Sequence, residues 1–239
     1  MKVLGQLEHA SNNTLLVEVD GVRYVYKPIA GERPLWDFPD GTLANREVAA
    51  YRVSQLLGWH LVPPTSLVDG PEGPGSLQLW VDAEIQEVDL FAPNDVPNNW
   101  FSILSGLDEE GQQIVLAHSA HPMLSQLAVF DVIINNADRK AGHILTPENG
   151  GLIGIDHGVT FHEEPKLRTV LWGWINSNID EQLITDVHGL AEAIPHSDLP
   201  ELLAPEEVQA LLERINDIVQ TRTYPEPSNE WPAVPWPVF

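Results

Sequence analysis

Short hydrophobic runs alternate with polar turn residues over the first third of the chain. The runs VLGQLEH at 3–9 and TLLVEVDGVRYVYKP at 14–28 have residue types typical of β-strands. Asp20-Gly21 divides the second run and is a strong signal for a two-residue hairpin. A further run, TSLVDGPEGPGSLQLWVDA at 65–83, contains a Gly/Pro turn and predicts two more strands. The pattern therefore predicts a small sheet.

The segment between these strands has a helical pattern. In GTLANREVAAYRVSQLLGWH at 41–60, the residues Val48, Tyr51 and Leu56 form an approximate apolar face. Gly58 suits the position that follows the C-terminus of a helix. We therefore expect one helix inserted into the N-terminal sheet.

The pattern changes after residue 83 and becomes mainly helical. LFAPNDVPNNW at 90–100 is rich in loop residues, whereas EEGQQIVLAHSA at 109–120 and HPMLSQLAVFDVIINN at 121–136 predict helices. The second of these helices is apolar on almost every face, so we expect it to be buried. Its Pro122 fits the first helical turn.

Three further segments complete the prediction. HILT at 143–146 and LIGID at 152–156 flank a Gly-containing turn and predict a short hairpin. APEEVQALLERINDIVQ at 204–220 predicts an amphipathic helix. The final stretch at 224–239 contains too much proline for a helix, and its tryptophans suggest an extended tail docked on an apolar groove.

Together these elements predict an α+β protein, and its length suits one large domain or two small lobes. The expected division places a small β-rich N-lobe at 1–83 and a mainly helical C-lobe at 84–239.

Composition and charge exclude several classes of function. The chain has 239 residues and no cysteine, so neither disulfides nor thiolate chemistry can operate. Its formal net charge of −23 disfavours nucleic acid and stable association with anionic membranes, since both are bound largely through positive charge. The first 13 residues lack the apolar segment of a signal peptide, and we expect a cytoplasmic protein.

Charged residues stand at the ends of predicted hydrophobic elements, where burying a charge is costly unless it has a partner or a function. A compact polar cluster follows the buried helix and comprises Asp138, Arg139, Lys140 and His143. Asp156 ends the second strand of the predicted hairpin. Such a concentration of charge beside buried elements favours a functional site.

Two earlier residues extend this constellation. Lys27 ends an N-terminal strand, and Glu47 lies on the helix that follows. Phosphoryl transfer from ATP requires a strand lysine for the α/β-phosphates, a helix carboxylate that positions it, a carboxylate beside the acceptor hydroxyl, and metal ligands. These residue types occur here in that order, from Lys27 to Asp156.

The chain resembles the atypical branch of the kinase superfamily over residues 4–161. It is similar to the phosphatidylinositol 3/4-kinase-like and HipA-type kinases, and to an actinobacterial group within them. The hexapeptide DRKAGH at 138–143 matches the Asp and Lys of the protein-kinase pattern Asp-x-Lys-x-x-Asn, and its Asp-Arg matches the phosphatidylinositol-kinase pattern Asp-Arg-His-x-x-Asn. Asp156-His157-Gly158 resembles the metal-binding Asp-Phe-Gly. The resemblance implies a two-lobed, protein-kinase-like fold.

The resemblance also implies roles for the charged residues. Lys27 would contact the α/β-phosphates of ATP and pair with Glu47. Asp138 would orient or deprotonate the acceptor, and Lys140 would neutralise charge on the transferred phosphoryl group. Asp156 would hold Mg²⁺ or Mn²⁺.

Two segments would contact other parts of the nucleotide. The turn formed by Ser11, Asn12 and Asn13 would cover the phosphates, although it is not Gly-rich. The hinge that hydrogen-bonds adenine would comprise four residues: Leu79, Trp80, Val81 and Asp82.

His143 departs from the pattern, because the family places an Asn at this position. An imidazole nitrogen is a softer ligand than an amide oxygen and suits manganese, iron or zinc better than magnesium. His143 is therefore either a poorer ligand, a sign of a preference for manganese, or a mark of lost catalysis.

Two functional interpretations follow, with a third that does not involve nucleotide. The leading one is an ATP-dependent phosphotransferase that acts on a hydroxyl group of a protein or small molecule. The alternative is a pseudokinase, a regulatory module that binds nucleotide without turnover. A structural interaction protein would bind no nucleotide.

Overall fold

The computed structural model describes residues 1–7, 13–84, 87–148 and 150–239. It is a mixed α/β structure with a β-rich N-terminal part and a mainly helical C-terminal region. Within the described ranges, no helix is both long and apolar enough to cross a bilayer.

The N-terminal part is built on a five-stranded antiparallel sheet. Its strand order is β1-β2-β3-β5-β4. The hairpin predicted at Asp20-Gly21 is present, and both residues have positive φ, 50° and 80°, as a type I′ turn requires. In chain order the strands are β1 (Lys2–Gln6), β2 (Leu15–Val19), β3 (Val22–Pro28), β4 (Thr65–Gly70) and β5 (Gly73–Leu79).

The predicted helix between β3 and β4 is α1 (Leu43–Leu56), and Gly58 follows it with φ of 69°. Glu32 lies in the preceding segment, and its carboxylate accepts the backbone N–H groups of Leu43 and Ala44. These bonds satisfy N–H groups that a helix N-terminus leaves free. Buried residues of α1 belong to the same hydrophobic cluster as the C-terminal helices. The division at residue 83 stays a prediction.

Residues 88–119 form a three-stranded antiparallel sheet of order β7-β9-β8. Its strands are β7 (Val88–Phe91), β8 (Trp100–Leu107) and β9 (Gln113–Ser119). The prediction of a helix at 109–120 was therefore wrong, and the predicted loop at 90–100 overlaps the end of β7 and the start of β8. Pairing with β7 and β8 decides the structure of β9, because its short apolar run is compatible with either a helix or a strand.

The buried helix predicted before the polar cluster at 138–143 is α2 (Pro122–Ile134), with Pro122 in its first turn. Leu124, Leu127, Phe130 and Ile133 of α2 are fully buried in the main core. The remaining helices are α3 (Glu181–Ala193), α4 (Leu199–Leu202) and the predicted amphipathic helix α5 (Pro205–Thr221). Helix α5 packs against α2, and both α3 and α4 pack against α5 and α1. Because α2 is central, the loop that follows it starts from a fixed position.

The predicted hairpin after this loop consists of β10 (Ile144–Pro147) and β11 (Ile153–Gly154). A short strand, β6 (Ala83–Glu84), pairs with β10 on the other side. Since β6 follows directly on the predicted hinge, the hinge connects the N-terminal sheet to the hairpin. The two parts of the chain that would surround a nucleotide therefore meet at this point.

The tail at 224–239 is non-helical, as predicted, and it docks on the C-terminal region. The carbonyl of Ala233 accepts the backbone N–H of Thr169 and the indole N–H of Trp172. The carbonyl of Val238 accepts the backbone N–H of Ala141, 2.8 Å away, within the loop 138–143. The tail therefore contacts the candidate site directly.

Candidate active site

Lys27 lies near the end of β3, where β5 approaches very closely. A Cβ atom at Gly75 would lie only 2.4 Å from the carbonyl oxygen of Lys27. Glycine therefore permits this strand pairing, which fixes the backbone from which the lysine side chain extends.

The Lys27 ammonium group bonds to two carboxylates. It donates to Glu47 on α1, which is the ion pair predicted from the sequence, and to Asp156 Oδ1 at 2.8 Å. Burial acts to lower the pKa of Lys27, but the charges of Asp156 and Glu47 outweigh it and raise that pKa above its ordinary value. Lys27 is therefore a permanent cation held between two anions.

Glu47 is almost fully buried and joins the lysine to the segment after the hairpin. Its second oxygen accepts the backbone N–H of His157 at 3.0 Å. Both carboxylate oxygens thus have charge-assisted or backbone donors, which compensates for burying the charge. Glu47 positions Lys27 and Asp156 relative to each other.

Asp156 has a left-handed backbone conformation, with φ of 59°. Half of its side chain remains exposed, so its second oxygen can be reached from solvent. Lys27 is the main cause that lowers the pKa of Asp156, and this carboxylate is ionised at neutral pH. An exposed, fully ionised carboxylate beside the predicted phosphate-binding lysine has the chemistry of a metal ligand.

Asp138 lies in the loop after α2, and its backbone N–H donates to Asn136 Oδ1 at 3.0 Å. Lys140 Nζ is 3.5 Å from Asp138 Oδ2. Burial is the largest effect on Asp138 and raises its pKa, while Lys140 and Arg168 oppose the rise. A carboxylate with a raised pKa is a stronger base, which suits proton transfer from a hydroxyl group.

A buried ionic network connects this loop to helix α2 and to the hairpin. Arg139 and Asp131 are both fully buried, and the Arg139 guanidinium donates to both oxygens of Asp131 at 2.9–3.1 Å. The guanidinium also donates to the carbonyl of Ile155 at 2.9 Å and to His157 Nε2 at 2.7 Å. The loop and the hairpin are therefore held together by one arginine.

Sequence reasoning assigned no role to Asp131, Arg139 or His157. Arginine can only donate, so Nε2 of His157 must accept and the ring proton lies on Nδ1. Burial, together with the Arg139 charge, lowers the pKa of His157 well below 6.5. The available signal was an acidic residue inside an otherwise apolar helix, because such a residue needs a buried partner.

His143 lies beside Asp156, with Nε2 3.4 Å from Asp156 Oδ2. Burial lowers the pKa of His143 to about 4, so its imidazole is neutral at physiological pH. Its Nδ1 atom is buried and has no hydrogen-bond partner among the described residues. The structure thus brings together the two residues predicted as metal ligands.

Of the three residues predicted to cover the phosphates, the structure describes Asn13. Ser11 and Asn12 lie outside the described residues. The Asn13 side chain accepts from Gln6 at 3.2 Å and donates to Glu72 at 2.6 Å. Its side-chain amide therefore links β1 to the turn between β4 and β5.

The predicted hinge runs from the end of β5 to β6. The backbone N–H groups of Leu79 and Trp80 donate to carbonyls of Pro64 and Arg23, and Arg23 pairs with Asp82 at 2.5 Å. Val81 is half-buried. Its backbone N–H and carbonyl have no hydrogen-bond partner within the described part of the chain. These are the two groups that an adenine edge could use.

Among the residues that the structure describes, no cluster of three or more His, Asp or Glu side chains is arranged to hold a metal ion. Mg²⁺ with a nucleotide characteristically uses one or two protein carboxylates and completes its coordination with phosphates and water. Asp156, with His143 next to it, fits that requirement.

Comparisons with known proteins give one clear relationship. Protein-family models were searched and none matches. The chain is 46% identical to Protein Rv2133c of Mycobacterium tuberculosis (strain ATCC 25618 / H37Rv) over 257 aligned positions, which cover 100% of this chain and 92% of the relative. A solved structure, that of a Helicobacter pylori proinflammatory kinase CtkA, aligns with a TM-score of 0.48 and 11% identity, covering 92% of this chain and 91% of that one. The roles proposed below for individual residues are therefore argued from the side-chain geometry described above.

Proposed function

The chain belongs to the same protein family as Protein Rv2133c, and we propose that it is an ATP-dependent phosphotransferase with a kinase-like fold. The observation that carries the proposal is the contact of Lys27 with both Glu47 and Asp156. Lys27 and Asp156 are 129 positions apart in the sequence, yet their side chains are 2.8 Å apart. A strand lysine, a helix glutamate and an exposed aspartate at one point meet the requirements of phosphate and metal binding.

Each residue has a distinct task in this proposal. Lys27 binds the α/β-phosphates and Glu47 positions it, while Asp156 and His143 hold Mg²⁺ or Mn²⁺, which supplies electrophilic stabilisation of the phosphates. Val81 and its hinge neighbours bind adenine, and the turn at 11–13 covers the phosphates.

The transfer step itself belongs to the loop after α2. The acceptor oxygen attacks the γ-phosphorus, and the bond from that phosphorus to the β,γ-bridging oxygen breaks. Asp138 takes the hydroxyl proton, and ADP leaves with the electron pair. Lys140 stabilises charge on the transferred group, because a nearby cation lowers the energy of a transition state that carries negative charge.

The first test measures ATP consumption by the purified chain with Mg²⁺ or Mn²⁺, and binding of a non-hydrolysable ATP analogue by calorimetry. We expect Asp156→Ala to abolish metal-dependent nucleotide affinity, because this carboxylate acts in the ground state. Asp138→Ala should retain the affinity and lose turnover, because its interaction is made in the transition state.

Asp95→Ala, a change at an exposed carboxylate in the loop between β7 and β8, is the matched control and should alter neither quantity. The opposite pattern in the two site variants would exchange their assigned roles. A wild-type chain that binds no nucleotide with either metal would refute the proposal.

One observation favours a second candidate, a nucleotide-binding pseudokinase. His143 occupies the position at which the kinase pattern has a metal-binding Asn, and its imidazole nitrogen is a softer ligand than the amide oxygen that magnesium prefers. Tight analogue binding by the wild-type chain without turnover, with either metal, would select this alternative.

A further inference from the structure

Three hydrogen bonds hold Arg168 against the loop that contains Asp138. Its backbone N–H donates to the carbonyl of Asn136 at 2.9 Å, and its Nε donates to the carbonyl of Ala137 at 2.6 Å. Its own carbonyl accepts the N–H of Arg139 at 3.0 Å. Because these positions bracket Asp138, the guanidinium is fixed beside that carboxylate.

The docked tail holds this guanidinium from another side. Arg168 Cζ lies 5.4 Å from the ring centroid of Trp231, within the range of a cation–π contact. Lys166 Nζ lies 4.5 Å from the same ring. A stacked guanidinium with an anchored Nε loses little further freedom when it binds a ligand.

The outer donors of Arg168 remain available. Lys166 nearby pairs with Asp37 and Glu164, and Arg139 pairs with Asp131. In the described part of the chain, Arg168 forms no ion pair and its two Nη groups donate no hydrogen bond. The charge of Arg168 acts on Asp138 without a direct ion pair between them. In a chain with 35 acidic residues and only 12 lysines and arginines, such a cation beside the loop is available to an anionic ligand.

We propose that Arg168 binds an anionic group of the phosphate acceptor, a carboxylate or a phosphate ester, while Asp138 meets the acceptor's hydroxyl group. The inference rests on the phosphotransferase function proposed above and names its substrate class: a hydroxyl compound that also carries negative charge. The two Nη groups of an arginine match the paired oxygens of such an anion. An overall charge of −23 would otherwise repel it, so a dedicated cation is required.

The experiment uses the full chain saturated with a non-hydrolysable ATP analogue and Mg²⁺ or Mn²⁺. Three probes are titrated by calorimetry: glycerol 3-phosphate, glycerate and glycerol. They share hydroxyl groups and differ in carrying a phosphate, a carboxylate or no charge. We expect one or both anions to bind the wild-type chain and glycerol not to bind.

Arg168→Gln should weaken binding of that anion about tenfold or more, as expected for the loss of a charge-assisted hydrogen-bonded pair. Arg168→Lys should give an intermediate loss, since it keeps the charge without the paired donors. Arg222→Gln is the matched control: it removes one positive charge from an exposed pair with Glu181 and should bind the anion as the wild type does.

The outcomes separate the two proposals. Equal anion binding by wild type and Arg168→Gln, or no binding of either anion to the nucleotide-loaded wild type, would overturn the role of Arg168. Weaker analogue binding in Arg168→Gln would also overturn it, because the residue would then contact the nucleotide itself. Failure of the wild type to bind the analogue at all would instead refute the phosphotransferase function. Thermal unfolding of each variant identifies any loss that comes from misfolding.

Discussion

Arg139 joins the loop 138–143, the hairpin and helix α2 through one fully buried guanidinium. Its partners are Asp131 of α2, the carbonyl of Ile155 and the ring of His157. Removing one partner of such a network leaves a buried charge unpaired, which typically costs several kcal/mol. The loop residues Asp138 and Lys140 thus depend on a charge pair that takes no part in the chemistry proposed for them.

His143 is the residue on which we expect the metal preference of the proposed enzyme to depend. His143→Asn replaces an imidazole nitrogen beside Asp156 with an amide oxygen, the harder ligand that magnesium prefers. We expect the ratio of activities with Mg²⁺ and Mn²⁺ to rise about tenfold in favour of magnesium, the order of effect seen when groups around a metal change. Steady-state rates with each metal measure this ratio.

His121→Asn is the control for this change, because His121 caps α2 away from the metal ligands. An unchanged metal ratio in His143→Asn would mean that His143 packs beside Asp156 without binding metal.

The charged residues of the candidate site could be predicted from the sequence, whereas the buried hydrogen-bond network around them could not. Lys27 lies near the end of a strand, and Asp138 and Asp156 follow a helix and a strand. Glu47 lies within helix α1, and the local patterns of all these elements are strong. Arg139 looked like a loop residue, and only the packing of the hairpin against α2 makes it buried. Its partners lie eight and eighteen positions away, so no local pattern pairs them.

Among the elements that carry no proposed site residue, the extended tail contacts the loop 138–143 directly. Val238 is almost fully buried, and its carbonyl accepts the N–H of Ala141 in this loop. Val238→Asp would place an unpaired charge there, and we expect a loss of about 1–3 kcal/mol in the free energy of unfolding. Activity should fall further than stability alone explains, because the loop loses its contact with the tail. Urea unfolding and turnover of the same preparation measure both effects.

Asn229→Asp adds the same negative charge at an exposed position of the tail and serves as the control. Full activity in a stably folded Val238→Asp variant would show that the tail does not position the loop.

The helices and strands could be predicted from local sequence patterns, except where pairing with a distant strand determines the structure. The hairpin at Asp20-Gly21, helix α1 and helix α5 have strong turn or periodic signals and appear as predicted. The strand β9 (Gln113–Ser119) was predicted as a helix because four apolar residues in a row fit either structure. Its partners β7 and β8 decide the outcome, and the predicted loop at 90–100 overlapped the end of the first and the start of the second.

At the scale of the whole molecule, buried neutral histidines link folding to pH. Burial lowers the pKa of His118 to about 4. The unfolded chain binds a proton at this residue below about pH 6.5, while the folded chain does so only near pH 4. His118 therefore contributes stability that is lost as the pH falls from about 6.5 towards 4.

His118→Gln should reduce this acid-side loss. Between pH 7.5 and 5 the histidine alone accounts for about 2 kcal/mol of the change in unfolding free energy. Urea titrations of wild type and variant at both pH values measure the difference, and relief of the −23 charge cancels in the comparison. His188→Gln, a change at an exposed position of α3, is the control. Equal pH dependence in wild type and His118→Gln would contradict the assignment.

The contact between Lys27 and Asp156 also has a thermodynamic cost for any ligand that uses both residues. The pair joins the N-terminal sheet to the hairpin of the helical region, so it contributes to the cohesion of the two parts. A phosphate that takes the lysine and a metal ion that takes the carboxylate must separate this pair first. On the proposed function, we therefore expect nucleotide and metal each to remove part of the obstacle to the other, so that their binding is cooperative even where they do not touch. The affinity for either alone should then be smaller than its contacts suggest.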